Sequence, residues 1–123
     1  MQILIVDDSK VSRRTLRELV ESFGYSVIAE AINGKDGIKK FKQFKPQLIL
    51  TDLEMPEMDG LTMLTEITHH NSLVKIIVVT SNINKTKTSQ AKINGAYAVL
   101  EKPIDESLLK QAIEGVAQCI SVN

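Results

Sequence analysis

Tryptophan is absent, aromatic residues make up only 4% of the 123 residues, and fifteen basic side chains are matched by fifteen acidic ones. With so few flat rings, a stacking surface for single-stranded nucleic acid is excluded, and a formal net charge of zero supplies no field to draw the chain to nucleic acid or anionic lipid. One cysteine, Cys119, cannot close an internal disulfide, and no Cys/His cluster has the spacing of a zinc site. No apolar run approaches the length of a membrane span or a signal-peptide core. The first run, Ile3 to Val6, is ended at once by two aspartates. These absences leave a soluble protein of a reducing cytosol, with no direct nucleic-acid or membrane partner and nothing to suggest an obligate dimer.

What is present is a 43% hydrophobic fraction, enough for one core in a chain of this length. Four short runs read as strands, Ile3 to Val6, Val27 to Ala29, Leu48 to Leu50 and Ile76 to Val79, with a weaker fifth at Tyr97 to Leu100. The first, third and fourth are apolar at every position, the pattern of strands covered on both faces. Between them lie stripes at helical spacing. The first is Leu16, Leu19, Val20 and Phe23, stopped by Gly24; the second is Ile38, Phe41 and Phe44. The third is Leu61, Leu64 and Ile67, capped by Asp59, and the last is Leu108, Leu109, Ala112, Ile113 and Val116, opened by Asp105. The polar stretch from Asn84 to Asn94, with Ala91 its clearest core residue, is assigned to helix mainly because the alternation requires one. Five strand–helix units imply an α/β fold with a parallel sheet and right-handed crossovers, and no linker or second domain is visible between residues 1 and 123.

In open parallel sheets ligands bind beyond the carboxyl ends of the strands. Asp7 and Asp8 follow the first strand, Asp52 the third, Thr80 and Ser81 the fourth, and Lys102-Pro103 the fifth. Any one aspartate in such a place is commonly a helix cap. Three together are an electrostatic problem, since two unit charges about 4 Å apart repel by roughly 4 kcal/mol at an effective dielectric near 20. A hard divalent cation such as Mg²⁺, which retains several waters, resolves it, and Lys102 adds a fixed positive charge. Such a site suits phosphoryl transfer, which depends on positioning and charge neutralisation.

The segments Ile3-Leu4-Ile5-Val6-Asp7-Asp8-Ser9, Leu48-Ile49-Leu50-Thr51-Asp52-Leu53-Glu54-Met55-Pro56, Asp59-Gly60, Val79-Thr80-Ser81, Gly95-Ala96 and Lys102-Pro103, in this order and spacing, resemble the receiver domain of bacterial two-component response regulators along essentially the whole chain. The resemblance implies the flavodoxin-like strand order 2-1-3-4-5, with helices on both faces of a five-stranded parallel sheet. It implies that Asp52 is phosphorylated by a histidine kinase or phosphotransfer protein. Asp8, Asp52 and the backbone carbonyl of Glu54 would ligate Mg²⁺, and Asp7 would hold metal-bound water. Lys102 would pair with the carboxylates and then the phosphoryl group, Thr80 would be the switch hydroxyl with Ser81 beside it, and the Lys102–Pro103 peptide would be cis. A downstream protein effector would read the face made by the fourth helix, fifth strand and fifth helix, as in chemotaxis regulators or phosphorelay intermediates, and the chain would act as a monomer.

Two departures from the family pattern stand out. Val99 occupies the position, three before the lysine, where the family carries Tyr or Phe; Tyr97 is expected on the same strand face, either as a partial substitute or as a packed strand residue, the output then being loop movement without an aromatic flip. Glu54 and Asn82, two beyond Asp52 and Thr80, sit where side chains gate water access, so Glu54→Asn is expected to change autodephosphorylation several-fold. His69 and His70 are adjacent on a helix end and face different ways, so they cannot chelate jointly. Two other functions compete. A haloacid-dehalogenase-type phosphatase also uses an Asp after a strand but wants a second Asp where Glu54 stands; a transcription factor would need a helix-turn-helix and a basic stripe, and neither is visible.

Overall fold

The computed structural model describes residues 1–81 and 84–121. Ten elements alternate along the chain: β1 Gln2–Val6, α1 Lys10–Ser22, β2 Ser26–Ala31, α2 Gly34–Phe44, β3 Leu48–Thr51, α3 Gly60–His70, β4 Lys75–Thr80, α4 Lys85–Ile93, β5 Ala98–Glu101 and α5 Glu106–Ser121. The five strands form one sheet in the order β2-β1-β3-β4-β5, every pairing parallel.

The all-apolar strands have a direct structural consequence. Successive side chains point to opposite faces, so Ile3 and Ile5 of β1 join Leu48, Leu50, Ile77 and Val79 under α1 and α5. Leu4 and Val6 join Ile49, Ile76 and Val78 on the other face, under α2, α3 and α4. A polar residue at any of these sites would lie against a helix layer.

Capping sets where each helix begins. Ser9, Asn33, Asp59 and Asn84 each accept a backbone amide of the first turn through the side chain, and Asp105 does the same for Leu108 N at 3.1 Å. The end of α1 is followed by Gly24, which takes φ +94°, a value glycine adopts without steric cost. Three expectations need correction. Leu108 is 51% exposed rather than core, since Leu109 is the residue of that turn which is buried, and Phe44, the last residue of α2, is 40% exposed. Tyr97 precedes β5 instead of lying within it, so strand alternation does not govern it. Its hydroxyl lies where a Cβ on Gly115 of α5 would stand, 2.4 Å away, whereas Val99 packs on the opposite layer.

Candidate functional site

The tips of β1 and β3 lie side by side, because Val6 pairs with Thr51 in the parallel register. Asp7 and Asp52 are therefore neighbours in space although far apart in sequence, and both are buried, at 1% and 8% exposure. Asp8, next along, is exposed, and carboxylate oxygens of Asp7, Asp8 and Asp52 lie within 4.8 Å of one another. Lys102 comes from the far side of the sheet, off the end of β5. Its ammonium donates to Asp7 Oδ2 at 2.8 Å, Asp52 Oδ2 at 3.0 Å and Ser12 Oγ at 3.3 Å. Burial alone would lower its pKa, but the hydrogen bonds and charges of Asp7 and Asp52 outweigh that effect and hold it above the ordinary lysine value. The group is thus an ammonium throughout the neutral range.

The second oxygen of Asp52 is held differently. Its Oδ1 accepts the amides of Leu53 at 2.7 Å and Glu54 at 3.2 Å. One carboxylate is thereby oriented by two backbone donors on one oxygen and an ammonium on the other. The backbone behind it is just as constrained: a Cβ on Gly60 would stand 1.9 Å from the Asp52 carbonyl oxygen. Only glycine lets α3 start this close, and the Gly60 amide ties back to the Leu53 carbonyl at 2.8 Å.

Thr80 is the last residue of β4 rather than the first of the following loop, and it is fully buried; its carbonyl accepts the Lys102 amide at 2.9 Å. The Lys102–Pro103 peptide is cis. Ser81 is exposed, and Asn82, the expected second gating residue, lies outside the described residues. Glu54 is half-exposed and its carboxylate lies 3.6 Å from the Lys87 ammonium on α4.

Two residues of the site escaped sequence reasoning. Ser12 supplies the hydroxyl beside Lys102. Arg13, only 15% exposed, donates from Nη1 to the Asp7 carbonyl at 2.7 Å and from Nε to Glu30 Oε1 at 3.2 Å; Glu30 also pairs with Arg17. The available signal was Glu30 itself, a charge placed inside an otherwise apolar strand. Such a charge requires a partner.

A family model described as "Response regulator receiver domain" matches residues 3–114. The chain belongs to the response regulator receiver family. This receiver is similar to the chemotaxis protein CheY of Thermotoga maritima, at 32% identity over 95% of this chain and 98% of that protein. It is also similar to protein PilH of Pseudomonas aeruginosa, at 35% identity over 94% and 96% of the two chains. Among solved structures, the CheX-CheY-BeF3-Mg+2 complex from Borrelia burgdorferi includes a chain that superposes with a TM-score of 0.90 at 27% identity, covering 94% of this receiver and 88% of that chain. The family resemblance read from the sequence therefore holds, as does its implied strand order, and the receiver is a phosphoacceptor signalling domain of two-component systems. No helix among the described residues is long and apolar enough to cross a membrane.

Proposed function

We propose that Asp52 is the phosphoacceptor, taking its phosphoryl group from a histidine kinase or phosphotransfer protein, and that the receiver then controls the binding of a downstream protein effector. One observation carries the assignment: Asp52 is gripped on Oδ1 by two backbone amides and on Oδ2 by Lys102, whereas Asp7, held by the Ser9 amide and Lys102, is more deeply buried and Asp8 is exposed. Attack by this carboxylate forms the bond from oxygen to phosphorus as the donor's phosphorus–nitrogen bond breaks, and the leaving imidazole takes up a proton. Lys102, already an ammonium, offsets charge on a phosphoryl oxygen.

The donor set is all oxygen and mostly anionic, which suits Mg²⁺; Asp8, Asp52 and the neutral backbone carbonyl of Glu54 would hold the ion directly, and Asp7 would hold it through water. When bound, the cation neutralises the transferring phosphoryl group and the surrounding carboxylates. The similar Borrelia burgdorferi protein, solved with beryllofluoride and Mg²⁺ in a complex with CheX, supports both the chemistry and a protein effector.

An acyl phosphate adds about one negative charge and three acceptor oxygens. Thr80, fully buried at the end of β4, supplies the hydroxyl that answers it, and Ser81 after it moves with that hydroxyl. Phosphorylation then shifts a population of states, by no more than the difference in interaction between them. Val99 is aliphatic, and Tyr97 is engaged with α5, so loop movement, not an aromatic flip, carries the signal to the α4–β5–α5 face.

Incubation with Mg²⁺ and acetyl phosphate, followed by intact-mass measurement, tests the assignment. Wild-type protein is expected to gain one phosphoryl group that is lost slowly, and Asp52→Ala none. Rapid turnover of many equivalents would instead mark a phosphatase, and modification of Asp52→Ala would move the acceptor elsewhere.

A further inference from the structure

Lys87 reaches the mouth of the acidic pocket from a different element. It stands in the first turn of α4, where Asn84 Oδ1 accepts its amide at 3.3 Å. Its ammonium lies 3.6 Å from Glu54 Oε1, and the amide of Glu54 donates to Asp52 Oδ1 at 3.2 Å. Glu54 thus faces two ways: its backbone orients the acceptor carboxylate, and its side chain contacts α4.

The electrostatics at this point are one-sided. Asp7, Asp8 and Asp52 already crowd the pocket with negative charge, and any phosphoryl donor arrives as an anion. An unbalanced Glu54 at the entrance would repel that donor, and a cation beside Glu54 cancels the repulsion without entering the pocket. We infer that Lys87 is a positioning residue for phosphoryl entry: paired with Glu54 across the mouth, it neutralises that carboxylate towards an incoming anionic donor and couples the first turn of α4 to the loop that orients Asp52. The inference rests on Asp52 being the acceptor.

The pair is half-exposed, at 44% and 52%, and exposed pairs couple weakly, which corresponds to about a two- to fivefold change in a rate or equilibrium. Phosphorylation rate per unit of acetyl phosphate, with saturating Mg²⁺, reads it out. Lys87→Met is expected to slow phosphorylation about two- to fivefold, and Lys87→Arg to restore it. In a Glu54→Gln background the same Lys87→Met change should do nothing further, because the charge it balanced is gone. The deficit should also fade near 1 M salt, where the screening length falls to about 3 Å. Lys85→Met is the control; it removes equal charge from the same turn, and Lys85 makes no ion pair among the described residues.

An equal effect of Lys87→Met with and without Glu54, or no effect at all in a wild-type background that phosphorylates normally, would overturn the inference and leave the acceptor reading standing. A wild-type protein that takes no phosphoryl group would overturn both.

Discussion

The two sides of the sheet's centre are built to different depths. On one side, β1 and β3 are buried at every position but Gln2, and the neighbouring helices pack Leu16 and Val20 on one face and Phe41, Met63 and Leu64 on the other. On the other side, β5 is an edge strand whose residues are all half-exposed or exposed, and α4 buries Ala91 alone. The clustered carboxylates stand on the deep side, while Lys102 and the Lys87 contact arrive from the shallow one. The anions are thus fixed by packing, and the groups that answer a change in their charge sit on elements that cost little to move. Regions of low packing are where local opening and switching motions concentrate.

That contrast can be broken by core truncation. Leu50→Ala in β3 removes a fully buried side chain, and the expected loss is about 2–5 kcal/mol. Leu100→Ala in β5 removes a partly buried one and should cost no more than about 2 kcal/mol. Urea unfolding monitored by circular dichroism, with the slope unchanged, compares them directly. Equal losses would mean that β5 is as deeply anchored as β3, and the division into a rigid and a responsive side would fail.

Both sides were legible in the sequence to within a residue or two, but on different grounds. A strand buried on both faces writes an unbroken apolar run, so β1, β3 and β4 were legible to within one or two residues, and the acids after them followed. β5 and α4 are weakly patterned because they are weakly buried; α4 was assigned from alternation, and Tyr97 was placed on the wrong layer because it lies just before the strand, where its ring can pass the open edge to Gly115. Arg13 and Ser12 were invisible for a different reason. Their roles depend on where α1 lies over the strand tips, a tertiary fact that no local spacing records.

Arg13 sharpens the comparison within the deep side itself. It holds both Glu30 and the Asp7 carbonyl, whereas Arg17 reaches Glu30 and the Val27 carbonyl, away from the site. Hydrogen bonds involving a charged group contribute about 1.5–3 kcal/mol when buried. Arg13→Ala is therefore expected to lose about 2 kcal/mol in urea unfolding and to slow phosphorylation by acetyl phosphate. Arg17→Ala, more exposed, should lose less and leave the phosphorylation rate near wild type. Identical phosphorylation rates in the two variants would show that fixing the Asp7 carbonyl does not matter to the site.

The smallest effect separates stability from switching. Among the described residues two non-glycine residues carry positive φ, Lys45 at +50° where α2 ends and Glu57 at +65° in the loop between β3 and α3. The left-handed conformation costs a residue with a Cβ about 1–2 kcal/mol, whereas glycine adopts it freely. Glycine also leaves a more flexible unfolded chain, which offsets about 0.4–1 kcal/mol of the gain. Lys45→Gly should therefore raise stability by about 0.5–1 kcal/mol. Lys45 follows α2 and precedes β3, at the end of the sheet opposite the carboxylates, so the phosphorylation rate should stay unchanged. Glu57→Gly relieves the same kind of strain in the loop that carries Glu54 and leads to Gly60, and there a gain in stability should come with an altered rate. If both variants are stabilised and both phosphorylate as wild type does, the conformation of the β3–α3 loop is not part of what sets the reactivity of Asp52.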